Sequence, residues 1–474
     1  MGQVSDRAKD ETDPGKPRLP AGSQRPGQIP HTPASRAGGR LPYLNIRTRF
    51  TLSVLTGLLW VGVSTWLALP WIADLGQAIT LPLAIGVTIG LAIFPGYLTA
   101  YLVATLILDR PRVIKVPDSP EAWPAVTMLV AAWNEAERLA ETLRFLLASD
   151  YRGDLRVVVI DDGSTDATAA LAQGFSDRDE RVSLVRAKHG GKASALNLGL
   201  AEVNTRLVGT VDGDTLVLNS GLSRLVARYM SSPPEVAAIA GAILVRNSRE
   251  NRITQLQEWD YFLGIASIKR SQGLWQSTLV AQGSFSIYAT AAVREAGGWP
   301  VTIGEDIALT WAILAADKAI AFEPTAVAMT GAPEDLKHLI RQRSRWAFGM
   351  IEGLRRYGLK LLGKHRMASH AIAINFMIPW MDLCYTFAFL PGLVLAATGN
   401  FMIAGPLTLA VLPINLTLSF IMFRMQRGVF EEMGLRVRRN PVGFVMYTLL
   451  FQPVMSPVAV YGYSQNIFRR ARKW

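Results

Sequence analysis

Residues 157–166 read VVVIDDGSTD, and this stretch decides the fold. Its run of consecutive β-branched residues is typical of a strand that is buried on both faces, as in a parallel sheet. The strand ends in two adjacent carboxylates, Asp161 and Asp162, and a glycine then makes the turn. Serine, threonine and aspartate follow, which are residue types that begin helices. The stretch therefore predicts a strand, a turn and a helix, with acidic side chains at the carboxyl end of the strand.

The same alternation extends along the chain on both sides. Short apolar runs predict buried strands, and the segments between them have helical patterns. The predicted strands are 126–132, 155–161, 182–186 and 207–211, and the predicted helices are 135–148, 166–175 and 192–203. Strands and helices that alternate at this spacing indicate right-handed crossovers and a mostly parallel sheet. Ligands bind at the carboxyl ends of the strands in such sheets, which is where the acidic residues fall.

Composition indicates a membrane protein. Half of the 474 residues are hydrophobic, and apolar segments long enough to span a bilayer flank the predicted sheet. They are residues 50–73, 80–108, 368–397, 401–423 and 442–467. The formal net charge of +12 comes from Lys and Arg in the N-terminal tail and beside these segments, which favours a lipid bilayer over nucleic acid as the partner. The single cysteine, Cys384, excludes a disulfide framework.

These patterns divide the chain into five regions. We expect a disordered basic tail (1–47), two transmembrane helices (48–109), an α/β domain (110–335), an amphipathic interface helix (336–367) and a C-terminal transmembrane region of two or three helices (368–474). The distribution of Lys and Arg places the tail, the domain and a basic loop, 424–440, in the cytoplasm. The segment 442–467 is either a full span, which its length favours, or a re-entrant segment that keeps the C-terminal arginines inside.

A second acidic motif, Asp212-Gly213-Asp214, also follows a predicted strand. An Asp-x-Asp turn directs both carboxylates to one side, where they repel each other. A divalent cation removes that repulsion, and Mg²⁺ or Mn²⁺ prefers carboxylate and phosphate oxygens as ligands. We therefore expect Asp212 and Asp214 to hold Mg²⁺ or Mn²⁺ together with a phosphate group.

Two further motifs lie later in the domain. Glu305-Asp306 precedes a helical pattern, and Asp306 is either the helix N-cap or a carboxylate that takes a proton from a hydroxyl group. On a helix, Gln342, Arg345 and Trp346 share one face, so an arginine for a phosphate and an indole for a sugar would lie together. The surrounding segment is also basic and amphipathic, which is typical of a helix at a membrane surface.

Two shorter signals complete the candidate site. Lys192 opens a predicted helix after two glycines, which suits a lysine that meets a phosphate at a helix N-terminus. Gly283 and Ser284, in the sequence AQGS, either line the path of an acceptor or simply form a tight turn.

Taken in order, these motifs resemble those of family 2 glycosyltransferases. They are Trp133-Asn134-Glu135, residues 161–166, Gly191-Lys192, Asp212-Gly213-Asp214, Glu305-Asp306 and residues 342–346. The resemblance covers about residues 120–350. It is greatest to the processive membrane β-glycan synthases, first the poly-β-1,6-N-acetylglucosamine synthases and also the hyaluronan, chitin and cellulose synthases. It implies a GT-A fold inserted between N- and C-terminal transmembrane helices, and inversion at the anomeric carbon of a UDP-sugar.

The resemblance also implies roles for the matching residues. The nucleotide would be bound by Trp133, Glu135, Asp161, Asp162, Lys192 and Asp212, and the metal by Asp212 and Asp214. The catalytic base would be Asp306, with Glu305 beside it. The diphosphate and the acceptor would be bound by Gln342, Arg343, Arg345, Trp346, Gly283 and Ser284.

Three functions stay open at this point. The first is a processive synthase that polymerises a UDP-sugar, with UDP-N-acetylglucosamine favoured and UDP-glucose next, and passes the β-linked glycan across the plasma membrane. The second is a non-processive transferase that adds one sugar to a lipid acceptor. The third is a catalytically inactive receptor for a nucleotide sugar, which the full set of acidic motifs disfavours. No residue pattern identifies the sugar, the linkage or the oligomeric state.

Overall fold

A computed structural model describes residues 44–109, 114, 119–364, 367–404, 406–435, 437 and 439–468. The predicted tail, 1–47, therefore lies outside the described residues as far as residue 43. The end of the predicted tail is wrong, because the first helix already begins at Ile46. The Asn45 side chain accepts a hydrogen bond from the Thr48 backbone N–H at 2.8 Å, and this cap fixes the start of that helix.

Eight strands form a single sheet in the described part of the chain. They are β1 (Val126–Ala132), β2 (Leu155–Asp161), β3 (Val182–Arg186), β4 (Leu207–Asp212), β5 (Leu216–Val217), β6 (Val236–Val245), β7 (Phe285–Ala289) and β8 (Ala319–Thr330). Their order across the sheet is β3-β2-β1-β4-β7-β6-β8-β5. The first four neighbours pair in parallel, and β7 is antiparallel to both β4 and β6. The predicted α/β class with a mostly parallel sheet is confirmed.

Strand register brings the candidate residues to one edge of the sheet. Ala132 at the end of β1 lies opposite Asp161 of β2, and Ala131 lies opposite Asp212 of β4. On the far side of β4, Val211 pairs with Phe285, the first residue of β7. Because β7 is antiparallel, its beginning lies at the same edge as the end of β4. The loops after β1, β2 and β4 and the turn before β7 therefore meet.

Helices cover both faces of this sheet. They are Leu139–Leu147, Thr168–Ser176, Lys192–Ala201, Gly221–Met230, Arg252–Trp259, Ala266–Leu274, Thr290–Glu295, Glu305–Ala315 and Leu336–Gly353. On the first of them, Leu139, Leu143 and Leu146 are completely buried, as their spacing on one helix face requires. Burial of a leucine side chain contributes about 1.5–3 kcal/mol, so this face fixes the helix against the sheet.

The three predicted helices differ in their bounds from the observed ones. The predicted helix 135–148 begins only at Leu139, and the predicted helix 166–175 begins at Thr168. In both cases the preceding residues hydrogen-bond to another loop instead of continuing the helix. The predicted helix 192–203 starts at Lys192 as expected and ends at Ala201.

Four helices of the described residues are long and apolar enough to cross a membrane. Two precede the domain, Ile46–Ala78 and Leu81–Leu108, and two follow it, Met367–Ala397 and Pro441–Ile467. The last one is continuous through Pro453 and Pro457. These four helices indicate membrane association and flank the α/β domain as predicted.

The bounds of the predicted fourth span and of the basic loop after it need correction. One helix, Pro406–Glu432, contains most of the predicted span 401–423 and continues into the first part of the predicted loop 424–440. That residues 406–423 of this helix cross the membrane stays a prediction. Its C-terminal half continues because Val429 and Phe430 are buried against Phe262 and Trp259 of the domain. Side-chain packing thus extends the helix through Arg424 and Arg427.

Helix Leu336–Gly353 joins the domain to the membrane helices through glycine contacts. A Cβ atom at Gly462 would lie 2.4 Å from the Ser344 carbonyl oxygen, so the helix Pro441–Ile467 approaches very closely. On the other side, a Cβ at Gly349 would lie 3.0 Å from the Cα of Gly304. Gly304 immediately precedes the helix that carries Asp306. These close approaches set the distance between the candidate base and the interface helix.

We predict that Gly349→Ala lowers the free energy of unfolding by about 1–3 kcal/mol, because its methyl group meets backbone that cannot move alone. The matched control is Gly428→Ala in helix Pro406–Glu432, where a Cβ has no neighbour within 4 Å. That change should be neutral or stabilise the helix by up to about 1 kcal/mol. Thermal midpoints of the full chain in detergent give the comparison. Equal midpoints for Gly349→Ala and the unsubstituted chain would contradict the tight contact.

Candidate active site

The loop after β1 is held by the loop after β2. Asn134 has a positive φ of 55°, and its backbone N–H donates to the Ser164 hydroxyl at 3.0 Å. The Asn134 side-chain oxygen accepts from the Thr165 N–H at 2.9 Å. The Glu135 N–H donates to Thr168 Oγ1 at 2.8 Å. Hydroxyl residues in the VVVIDDGSTD stretch and just after it thus hold the loop that carries Trp133 and Glu135, a role that turn propensities along the chain do not reveal.

Asp161 and Asp162 are buried and engaged with backbone. The Asp161 carboxylate accepts from the Ser164 N–H at 3.2 Å. The Asp162 carboxylate accepts from the N–H groups of Gly190 and Gly191, both at 2.9 Å. In this way Asp162 fixes the turn that precedes Lys192 at the site.

An aromatic pair stands at the mouth of this region. The rings of Trp133 and His189 are stacked, with centroids 4.7 Å apart and planes 22° from parallel. His189 Nδ1 lies 3.0 Å from an Asp162 carboxylate oxygen, which holds the imidazole in place. Trp133 is 45% exposed, so one face is available to a ligand. In the sequence, His189 directly precedes the two glycines before Lys192, but only the fold shows that it meets Trp133.

Lys192 is the cation at the centre of the site. Its ammonium group pairs with the Asp212 carboxylate and lies 3.6 Å from Glu305 Oε1. Burial alone would lower the pKa of Lys192, but the carboxylates of Asp212 and Glu305 more than offset that effect and raise it. Lys192 is therefore a fixed positive charge. Gly283 stands beside it, since a Cβ there would lie 2.7 Å from Nζ.

Glu135, Asp212 and Asp214 form an acidic group with mutual repulsion. Burial raises the pKa of Asp214, and the charge of Asp212 raises it further. The pKa of Glu135 is raised to about 7, first by burial and then by Asp214. Asp214 is held by the Thr330 hydroxyl, which donates to it at 3.3 Å.

These carboxylates fit a divalent cation that also binds a phosphate. No group of three or more acidic, histidine or cysteine side chains spaced to hold a metal by themselves occurs among the described residues. Repelling carboxylates with raised pKa values nevertheless gain from a nearby cation. Mg²⁺ and Mn²⁺ commonly complete their ligand sets with water and substrate phosphates. Asp212 and Asp214 would then supply the protein ligands.

Asp306 lies at the second position of helix Glu305–Ala315, and Gly304 is the N-cap, so the alternative that Asp306 caps the helix is wrong. Its carboxylate accepts from the Ile307 N–H at 2.8 Å and from the Gly283 N–H at 3.3 Å. The AQGS segment thus forms the turn before β7 and contacts the candidate base, while Ser284 is partly buried beside it. Glu305 is buried, and desolvation raises its pKa although Lys192 acts to lower it.

Helix Leu336–Gly353 carries the remaining candidate residues. Arg345 is exposed and Trp346 is 40% exposed, so both can meet a ligand. The Gln342 side-chain oxygen is buried and has no hydrogen-bond partner among the described residues. The helix predicted for this motif is confirmed, whereas the binding roles of these three residues stay predictions.

Arg343 has a different position from its neighbours. Its guanidinium lies 2.6 Å from the Asp260 carboxylate, and both side chains are almost completely buried. The same guanidinium lies 4.2 Å from the ring centroid of Trp346 and 5.7 Å from that of Tyr261. Burial raises the pKa of Asp260, and Arg343 acts against that shift. Arg343 therefore packs against the Trp346 ring and supports it.

Lys269 is a candidate that the sequence patterns did not single out. It is buried on helix Ala266–Leu274, and its ammonium interacts electrostatically with Asp306. Burial lowers its pKa to about 7, while Asp306 acts in the opposite direction. The feature of the sequence that could have pointed to Lys269 is a Lys-Arg pair, Lys269-Arg270, in a short segment with apolar neighbours.

We predict that Asp260→Asn lowers the free energy of unfolding by about 3–5 kcal/mol, because it leaves the Arg343 charge buried without its partner. The control is Glu141→Gln, which breaks a more exposed ion pair with Arg246. Exposed ion pairs contribute about 1 kcal/mol or less. Thermal unfolding of the two variants side by side tests the difference. An equally small loss in both would show that the Asp260–Arg343 pair is not a buried support.

We also predict a pH dependence due to Glu135. Its pKa is raised from 4.5 to about 7 in the folded protein, so the folded state binds more protons than the unfolded chain between these values. The contribution of Glu135 to stability is therefore greatest at the acid end and is lost as pH rises toward 7. Glu135→Gln should remove this part of the slope of thermal midpoint against pH. Glu295→Gln, on an exposed helix end, should keep the original slope, and an unchanged slope in Glu135→Gln would refute the assignment.

Comparison with known proteins agrees with this geometry. Residues 124–349 match the family described as "Glycosyltransferase like family 2". Poly-β-1,6-N-acetyl-D-glucosamine synthase of Staphylococcus aureus strain COL is 32% identical over 244 residues, which are 51% of this chain and 58% of the relative. The synthase of the same name from Staphylococcus epidermidis is 29% identical over 253 residues, 53% of this chain and 61% of the relative. The match thus spans somewhat more than half the length of these relatives.

A solved structure shows the same fold. It is a mannosyltransferase from Pyrobaculum calidifontis in complex with GDP-mannose and Mn²⁺. It has 17% sequence identity, covers 90% of this chain and 100% of its own, and gives a TM-score of 0.52. The predicted GT-A fold is confirmed by this likeness. Residues 124–349, somewhat less than half of the chain, are therefore similar to family 2 glycosyltransferases.

Proposed function

We propose that the protein is a membrane-bound inverting glycosyltransferase that polymerises a UDP-sugar into a β-linked exopolysaccharide and passes it across the membrane. One observation carries the proposal. A carboxylate suited to act as a base, Asp306, lies beside the fixed cation Lys192 and the acidic Asp212 motif. The contact between Gly304 and Gly349 connects this part of the site to the interface helix. We place the domain in the cytoplasm, as the positive-inside rule favours.

The uracil base would stack on the open face of Trp133. The stacked pair leaves no room for a base between Trp133 and His189, whose ring centroids are 4.7 Å apart. Glu135 and Asp161 lie beside this ring on the interlocked loops, and Asp162 holds the turn that presents Lys192. These contacts give the nucleotide a preformed surface.

The diphosphate would lie next to Lys192. Asp212 and Asp214 would hold Mg²⁺ or Mn²⁺, which when bound stabilises the charge that develops on the leaving diphosphate. Lys192 supplies a positive charge from the protein itself, and exposed Arg345 is free to donate two hydrogen bonds to phosphate oxygens. The charge of the leaving group is thus balanced by groups on three different elements.

Asp306 would accept the proton from the acceptor hydroxyl. The hydroxyl oxygen attacks the anomeric carbon from the face opposite the nucleotide, the bond from that carbon to the UDP oxygen breaks, and the proton passes to the carboxylate. The hydrogen bonds from Gly283 and Ile307 fix the carboxylate without protonating it. Inversion at the anomeric carbon follows from this single displacement.

Trp346 would hold the acceptor sugar against the membrane side. Its indole is partly exposed and rests on Arg343, so a sugar ring can pack on the other face. The supporting helix packs on Pro441–Ile467, a candidate span, which would deliver the growing chain directly to the membrane helices. We favour UDP-N-acetylglucosamine as donor because the curated relatives carry that sugar in their names. UDP-glucose is the next candidate.

We predict that Asp306→Asn lowers the transfer rate by about 10²–10⁴-fold, the usual contribution of a general base. Binding of UDP, measured by calorimetry, should be unchanged because Asp306 faces the acceptor. The control is Asp154→Asn, an exposed carboxylate at the amino end of β2 and thus at the opposite edge of the sheet from the site, which should keep full activity. Full activity in Asp306→Asn would refute the base assignment.

The donor and the product need a separate experiment. The purified full chain in nanodiscs with Mn²⁺ is offered labelled UDP-N-acetylglucosamine, UDP-glucose and UDP-glucuronate separately, and products are digested with linkage-specific hydrolases. A long polymer from UDP-N-acetylglucosamine alone is the expected result. A single sugar that extracts with lipid into organic solvent would instead support the non-processive transferase.

A further inference from the structure

A second cavity lies where the domain meets the membrane helices. Its volume is about 740 Å³, and it opens between the end of helix Pro406–Glu432, the segment that follows it, and the start of helix Pro441–Ile467. Trp259 of the domain forms part of its wall. None of the residues assigned to the proposed sugar-transfer site lines this cavity.

One wall of the cavity is aromatic and rigid. Trp259 makes edge contacts with Phe423 at 5.5 Å and with Phe444 at 5.0 Å between ring centroids. The Trp259 indole N–H donates to the Asn440 carbonyl at 2.8 Å, which ties the domain to the beginning of the candidate span. Phe420 continues this wall and is 53% exposed. The apolar surface therefore runs out of the cavity along the helix.

The rim of the cavity is basic. The described lining residues include Arg427, Arg439 and one acid, Glu431. Arg427 Nε donates to Glu431 at 2.6 Å, so these two charges compensate each other. Arg439 is exposed, and no ion-pair partner for it occurs in the described part of the chain. The rim thus has one net positive charge beside an aromatic wall.

The position of the cavity matches the depth of lipid headgroups. It lies at the N-terminal end of the candidate span Pro441–Ile467, beside the α/β domain. Aromatic side chains concentrate at the membrane–water interface, and basic pockets beside membrane helices bind anionic headgroups. A basic rim above an apolar wall suits an amphiphile better than a free ion or a soluble nucleotide.

We propose that this cavity is a binding site for one acidic phospholipid. The headgroup phosphate lies against Arg439 at the rim, and the upper part of an acyl chain lies along Phe420 and Phe423. The site is built from other residues than those of sugar transfer, so it stands whether or not the proposed polymerase activity is correct.

The test measures lipid retention directly. The full chain is purified from nanodiscs that contain equal parts phosphatidylglycerol and phosphatidylcholine, and the lipids that stay bound are counted by native mass spectrometry. Selective retention of phosphatidylglycerol is expected. Arg439→Gln should weaken it about fivefold, which corresponds to about 1 kcal/mol for one basic side chain at an anionic surface. Phe420→Ala should also weaken it, through loss of acyl-chain contact.

Matched variants separate the site from general surface effects. Arg424→Gln removes an exposed arginine of helix Pro406–Glu432 that does not line the cavity. Leu450→Ala removes an exposed apolar side chain elsewhere on the span Pro441–Ile467. Both should retain phosphatidylglycerol like the unsubstituted chain. Equal retention of the two lipids, equal losses in Arg439→Gln and Arg424→Gln, or full displacement by inorganic phosphate alone would each overturn the proposal.

Discussion

The pairing of β1 with β2 on one side and with β4 on the other is the constraint on which the candidate site depends. It places Asp161 and Asp212 on either side of the end of β1, from which Trp133 emerges. The antiparallel β7 then brings Gly283 to the same edge. Every strand that supplies this edge is buried on both faces, so the backbone that carries the polar groups is rigid. Preorganisation of this kind is what a site needs when its ligand carries several negative charges.

Charge balance is the second organising feature. The acidic group at the strand ends is costly by itself, as the raised pKa values of Glu135 and Asp214 show. Lys192 compensates part of that charge from within the protein. The rest is available to a divalent cation, which would arrive together with a diphosphate. The carboxylates thus destabilise the folded protein at the place where the proposed ligand binds, which is common at functional sites.

The domain and the membrane helices are coupled by a small number of close contacts. Gly349 meets Gly304 on the side of the candidate base, and Gly462 meets Ser344 on the side of the span. Between them the buried pair of Arg343 and Asp260 supports Trp346. The proposed lipid site lies on the other side of this junction, where Trp259 binds the start of the same span. The junction therefore joins the acceptor side of the domain to the bilayer.

The sequence by itself determined the first four strands, the three helices between them and the acidic motifs at the strand ends, because hydrophobic periodicity and turn chemistry act between neighbours along the chain. It also determined that apolar helices flank the domain. Only the tertiary structure decided that His189 stacks on Trp133, that Arg343 turns inward to Asp260, and that a helix continues into the first part of the predicted basic loop. These outcomes depend on contacts between segments far apart in the chain. Burial and charge pairing at such contacts override local propensity, and no local pattern records them.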